Sequence, residues 1–389
     1  MLFGEMLRQL REEQHLTQRD LQTTGLSRVL LSHYEQGRRS PSWEHLQYLA
    51  ERLDVSVDVF FEGKGTTVAR EMVVQGMAQG HQAMRRQAWD DADALWAHVW
   101  KVAQTYHLTT WAREAQWARL ETAVARQAWT DVVTYALPWL ANPEWGLPED
   151  RHYRLLAWMG TAHRAINQLH SAALFYQLAQ ERVGAHSERG LRMAVNRGSC
   201  QWLLGHSAEA ARLFDYARHE AAAHGYVVIE SWAAVGWTTV TLESSDLTDV
   251  EAALKQAEHG ARVMPDGALT HAIQQNWAVY ARRCEDWARV GALLEELRKE
   301  VGTEPLPLSL VTEQIYWCTA RQDWAVGTDI LELAAASVGV GIEVQKFWEA
   351  VAHFYQAQQR PDRAHLAQQL SQMVSLTWRE SWHLFNDRE

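Results

Sequence analysis

Arg28, Val29, Ser32 and His33 lie in the stretch GLSRVLLSHYEQGRRSP, residues 25–41. On a helix, Leu30, Leu31 and Tyr34 fall at i, i+1 and i+4 and form an apolar stripe. The four named side chains fall on the other side. A guanidinium, an isopropyl group, a hydroxyl and an imidazole on one short outward face make a set suited to reading base edges in a DNA groove. Arg38 and Arg39 follow in a basic loop, where a positive charge meets phosphate. The alternative is that Arg28 and His33 are plain solvated residues of a small helical bundle.

Five short helical segments between Leu2 and Phe61 must position this face. The first is LFGEMLRQLREEQ. Thr17 is a good N-cap for a second helix over Gln18–Thr23, with Asp20 at N3. Gly25 fits the turn, and Ser27 caps the third helix. That helix ends near Gly37, suited to a left-handed C-cap, with Pro41 as a stop beyond it. Ser42 caps a fourth helix, WEHLQYLAERL, and VSVDVFF is the fifth segment.

These residues resemble the Cro/C1-type (XRE) helix-turn-helix family, a five-helix, lambda-repressor-like fold. The resemblance rests on Leu16-Thr17-Gln18, Gly25, Ser27, Leu31, Glu35-Gln36-Gly37, Pro41, Leu46, Leu49-Ala50 and Leu53. It departs at Leu21-Gln22, where the family has Leu-Ala. It implies that Gln18 contacts a phosphate and that Arg28, Val29, Ser32 and His33 face base edges. Arg28 would then bridge a guanine and Val29 meet a thymine methyl.

Beyond Gly63 and Gly65, turn-plus-helix motifs recur. Their marker positions are Trp89, Trp129, Leu169, Ser207, Leu247, Trp287, Trp324 and Pro361, spaced 37–40 residues apart. In the fourth unit, Gly198 and Ala210 let two helices approach, and Phe214 fills the gap to the next unit. This pattern resembles the tetratricopeptide repeat, whose period is ~34 residues. The expected architecture is therefore all-α. Residues 1–62 form the helix-turn-helix domain and 63–67 a linker. Residues 68–389 form a right-handed solenoid of about eight helix pairs with an irregular C-terminal cap.

The repeat resemblance places certain first-helix positions on a concave groove. Arg154, Trp158, Arg192, Asn196, Trp232, Asn276, Arg283 and Gln314 occupy them, and Lys346 does so in the last unit. Carboxamides there hydrogen-bond a peptide backbone, arginines hold carboxylates, and tryptophans form apolar pockets. Alternatively Asn196 and Asn276 bridge neighbouring helices, and Arg154 and Arg192 belong to a solvated or ion-paired face.

The composition narrows the classes. Hydrophobic content of 47% and charged content of 22% mark a folded chain. The net charge of −11 argues against a wholly basic nucleic-acid binder, but residues 1–65 carry 8 Lys+Arg against 10 Asp+Glu, so the acidity lies mostly downstream. Cys200, Cys284 and Cys318 make neither a disulfide framework nor a zinc ribbon. Glu5, Arg8 and Arg11 interrupt the first apolar stretch, so no signal-peptide core is expected. No apolar run approaches the ~20 residues of a membrane span. His219 and His224 in HEAAAH are five apart, roughly 140° around a helix, and cannot share a metal. No phosphate-binding loop or nucleophile elbow occurs, so no enzyme, cofactor or metal is expected.

A helix-turn-helix fused to such repeats resembles the RRNPP group of peptide-responsive quorum-sensing regulators, the PlcR- and Rgg-like proteins. The resemblance implies a cytoplasmic, homodimeric transcription regulator with two partners, an operator in double-stranded DNA and a short signalling peptide. The alternative is a DNA-binding protein whose repeats dock a protein partner.

Overall fold

The computed structural model describes residues 3–23, 25–39, 41, 43–55, 57–61, 66–142, 145–301, 307–337, 341–373, 381 and 385. The expected Ser42 cap, the hinge at 63–65 and most of the C-terminal cap beyond 373 lie outside them. Every regular element among the described residues is helical. The chain divides into two compact units, Met1–Trp145 and Gly146–Glu389.

The first unit opens with α1 (Phe3–Glu13), α2 (Arg28–Glu35), α3 (Trp43–Arg52) and a 3-10 turn, Val57–Phe61. The expected second helix, Gln18–Thr23, is instead a turn, closed by Asp20 N donating to the Thr17 carbonyl at 3.0 Å. Six residues complete too few helical hydrogen bonds to repay nucleation. The capping interaction survives: the Asp20 carboxylate accepts from Thr17 N and Oγ1, both at 2.7 Å. Hydrogen bonds from Thr17 lower the Asp20 pKa.

Local rules fix α2 at both ends. Ser27 Oγ accepts from Leu30 N at 3.2 Å. At the other end Gly37 has φ +67°, Gly37 N donates to Tyr34 O, and Arg38 N donates to His33 O. This is the paired pattern of a glycine-terminated helix. Leu31 and Tyr34 are buried with Leu7, Leu21, Leu26, Leu46, Leu49 and Leu53. Gln22, the departure from the family pattern, is exposed and so stays out of that contact.

Four more helices complete the unit as two antiparallel pairs: α4 (Thr66–Arg85) with α5 (Trp89–Thr105), and α6 (Thr109–Ala125) with α7 (Trp129–Ala141). Val68 and Met72 of α4 and Tyr106 after α5 pack against the core around Leu31. The expected boundary at 63–67 therefore falls inside a compact unit.

The second unit holds six pairs: α8 (Glu149–Ala165) and α9 (Leu169–Val183), α10 (Glu188–Leu203) and α11 (Ser207–His224), α12 (Val227–Thr241) and α13 (Val250–Val263), α14 (Gly267–Arg283) and α15 (Trp287–Val301), α16 (Leu308–Arg321) and α17 (Trp324–Ala334), α18 (Ile342–Ala357) and α19 (Pro361–Gln372). Seven of the eight markers open the second helix of a pair. Two residues before those seven, Gln87, Gln127, Asn167, Gly205, Glu285, Gln322 and Gln359 have φ of 56° to 80°. One left-handed residue thus makes each tight reversal. Phe214 packs against Gly198, where an added Cβ would come within 2.8 Å of its ring, and against Gly236 of α12. That is the gap-filling role expected of it. These stacked pairs are a tetratricopeptide-type α-solenoid.

Candidate DNA-reading surface and solenoid cavity

Helix α2 spans 8 residues, about 12 Å at 1.5 Å per residue, short enough to lie across one groove. Arg28 is exposed and Val29 is 65% exposed, while Ser32 and His33 are half-buried beside them. Arg38 and Arg39 are exposed just past the helix. The proposed reading residues therefore share one accessible surface.

Gln18 sits differently. Its amide donates to Glu35 Oε2 at 2.8 Å. Glu35 also accepts from Arg11, at 2.7 Å from Nε and 3.2 Å from Nη2, and Arg11 donates onward to the Leu16 carbonyl. Only 6% of the Glu35 side chain and 12% of the Arg11 side chain are exposed. The hydrogen bond that Arg11 donates to Glu35 raises the Arg11 pKa, although burial opposes it. This bidentate pair holds α1, the turn and α2 together, and sequence inspection missed it. Its one legible signal was a charged residue on the inward side of each amphipathic helix.

The second unit contains a cavity of ≈ 250 Å³, bounded by α12, α14, α16 and α18, with Trp202 of α10 at one side. Two ionic clusters face it. Arg282 makes a bidentate pair with Glu313 at 2.6 and 3.2 Å, and its guanidinium lies 4.3 Å from the Tyr316 ring centroid. Burial acts against the Arg282 charge, but Glu313 outweighs it and the pKa is raised. In the other cluster Glu243 accepts from Trp202 Nε1 at 2.5 Å, Ser207 Oγ at 2.9 Å and Lys346 Nζ at 2.5 Å. Lys346 also lies 4.9 Å from the Trp202 ring. This cluster ties α18 to the end of α12 and to α10, and α10 meets α18 directly. Gly341, just before α18, is so close to the Leu203 carbonyl that no side chain would fit there.

The expected groove residues scatter. Asn276 and Arg283 line the cavity, as does Lys346. Asn276 is 6% exposed, and its amide donates to Val235 O, Thr238 Oγ1 and Thr239 Oγ1 at 2.8–2.9 Å, so it bridges α14 to α12. Arg283 donates to the Leu242 and Ser244 carbonyls, both at 2.8 Å, and closes the end of α12. Gln314 is buried off the cavity, where its neighbour Glu313 points instead. Trp232 is wedged between two apolar clusters. Arg154 stacks on Trp158 at 4.5 Å, and Arg192 pairs with Glu188 at 3.2 Å on an exposed face. Asn196 is half-buried on α10 and does not line the cavity. Trp202, Glu243, Arg282 and Glu313 were not foreseen, because Glu243 and Lys346 meet across 103 residues of sequence.

Among the described residues no group of His, Cys, Asp and Glu is placed to hold a metal. Burial pushes the Cys200 and Cys318 thiols up to about 11, away from nucleophilic chemistry. Among the described residues, no helix is long and apolar enough to cross a membrane.

Residues 2–60 match the family model of the helix-turn-helix domain. The N-terminal segment is a helix-turn-helix domain. In this class the second helix of the motif enters the major groove, and α2 occupies that place. No curated protein matches the chain. Among solved structures the chain is similar to PlcR of Bacillus thuringiensis in complex with the peptide PapR7 and DNA, at 14% identity over 70% of this chain and 98% of that one, with a TM-score of 0.38. It is also similar to a tetratricopeptide repeat protein of Parabacteroides merdae, at 12% identity over 80% and 98%, TM-score 0.39. A third is the SHP pheromone receptor Rgg2 of Streptococcus dysgalactiae, at 11% identity over 85% and 98%, TM-score 0.21.

Proposed function

We propose that the protein is a cytoplasmic, sequence-specific transcription regulator that reads operator DNA through α2 of its helix-turn-helix domain and binds a short peptide in the solenoid cavity. The observation that carries this reading is that an exposed helix face in the helix-turn-helix domain and a cavity edged by Arg282, Arg283, Glu313 and Lys346 occur in one chain. A cavity of ≈ 250 Å³ admits an anchoring side chain with its adjacent backbone, a scale that suits a peptide. Arg282, Arg283 and Lys346 already have partners, so a peptide carboxylate enters by exchange, displacing Glu243 from Lys346. Such an exchange removes the ionic tie between α18 and the end of α12. Homodimerisation is part of the proposal, because one reader of this size covers one half-site and two cover a pair.

Selection of bound sequences from a random duplex pool by the full chain tests the DNA arm. Enrichment of one motif as paired half-sites is expected; an unenriched pool overturns it. Calorimetry with synthetic peptides encoded by short reading frames beside the gene tests the other arm. The Lys346→Met variant should lose at least about tenfold in peptide affinity, as the loss of a charge-assisted contact implies. Unchanged affinity would remove the cavity as the binding site.

A further inference from the structure

A second cavity, of ≈ 290 Å³, lies within the first unit, between the end of α5, the start of α6 and Trp145. Its volume is at the small end of the range for ligand pockets, roughly 300–1,000 Å³. Trp100 and Trp145 offer apolar walls. Arg113 stands over Trp145 with its guanidinium 5.3 Å from the ring, and donates to the Trp145 carbonyl at a long 3.4 Å. It has no carboxylate partner among the described residues. Gln116 also lines the cavity. It is 6% exposed, and its amide nitrogen donates to the Tyr135 carbonyl at 3.2 Å, yet its buried Oε1 accepts no hydrogen bond. Burying an acceptor without a donor is costly, so Oε1 is ready to accept from a donor that arrives while the amide nitrogen stays on Tyr135.

From this set we infer that the cavity is a binding site for a small carboxylate with an aromatic or apolar body and an N–H group. The carboxylate pairs with Arg113, whose fork of donors matches two oxygens. The N–H meets Gln116 Oε1, and the apolar body lies against Trp100 and Trp145. A free aromatic amino acid and the C-terminal residue of a peptide share this chemistry. The site is separate from the cavity lined by Glu313 and Lys346, and stands or falls independently of it. It has a route to the reader. Gln104 and His107 line it, and Tyr106 between them packs into the helix-turn-helix core.

Calorimetry on the full chain with three probes tests the inference: L-phenylalanine, N-acetyl-L-phenylalanine and N-acetyl-L-phenylalanine amide. One of the two carboxylates should bind, and the amide should bind roughly ten- to a hundredfold more weakly, as loss of a charged hydrogen-bonded pair implies. Tighter binding of the acetylated acid identifies a peptide C-terminus; tighter binding of the free amino acid identifies that ligand. Arg113→Gln, at a half-exposed position, should weaken the binding about tenfold or more while Arg113→Lys keeps part of it. Circular dichroism establishes that both variants are folded. Absence of binding by either acid, equal binding of acid and amide, or an unchanged affinity in folded Arg113→Gln overturns the inference.

Discussion

Arg28 and Glu35 sit seven residues apart on one short helix and do different work. Arg28 is exposed and available to a base edge, whereas Glu35 is buried against Arg11 and Gln18. Arg28→Ala should therefore lower affinity for the selected operator by about 1–3 kcal/mol and leave binding to unrelated duplex nearly unchanged. Fluorescence anisotropy with both duplexes checks this, and a uniform loss would point to a phosphate contact instead. Glu35→Gln should lower the stability of the first unit by about 1.5–3 kcal/mol, because it removes the charge-assisted bidentate pair and leaves Arg11 only the longer contact with Glu12, at 3.5 Å. Denaturant unfolding measures it. Gln18, expected on a phosphate, is held by the same carboxylate, so its role is at least partly internal. The exposed face of α2 was legible because the helix is amphipathic and both its ends obey local rules. The Arg11–Glu35 pair was not, because tertiary pairing leaves no local period.

Elements show the same division between local and distant causes. The caps at Ser27 and Gly37, seven of the eight repeat markers and the Phe214–Gly198 contact follow from residues close in sequence, and the structure shows them. The six-residue second helix failed because a good cap cannot offset a helix too short to nucleate. At the reversals, Gly205→Ala should cost about 1 kcal/mol, since φ of 80° strains any residue with a Cβ. Gly198→Ala should cost more, about 1–3 kcal/mol, because its methyl meets the Phe214 ring rather than solvent. Thermal unfolding of both variants ranks them, and the reverse order would show that Phe214 moves aside easily. The cavity residues followed only in part. Asn276 and Arg283 reach it, but Gln314 misses by one position, and in a helix one position is roughly 100° of rotation.

For the molecule as a whole, the helix-turn-helix domain and the first two helix pairs form one compact unit. Val68, Met72 and Tyr106 supply part of the domain's core. A fragment of residues 1–145 should thus unfold in one transition and keep its duplex affinity. A fragment of residues 1–65 should be less stable by several kcal/mol, at about 1.5–3 kcal/mol per large apolar side chain withdrawn. Matching midpoints for the two fragments would show that Val68, Met72 and Tyr106 add nothing to the stability of the helix-turn-helix domain. Composition and motif spacing pointed to two functional parts but could not show that the first solenoid helix serves both, since Val68 and Met72 read as ordinary helix residues.

An array of helix pairs touching only their neighbours frays from its free end, because the last pair has one interface where the others have two. The bond from Lys346 to Glu243 changes that arithmetic in the second unit. It joins the eighth pair to the fifth, and through the Trp202–Glu243 bond to the fourth, closing a loop of about a hundred residues. Such a contact forms late in folding, after the local pairs are in place, and then ties the unfolding of the terminal pair to that of the middle. Amide hydrogens in α18 should accordingly exchange as slowly as those in α10. In Lys346→Met they should exchange sooner, while α10 keeps most of its protection.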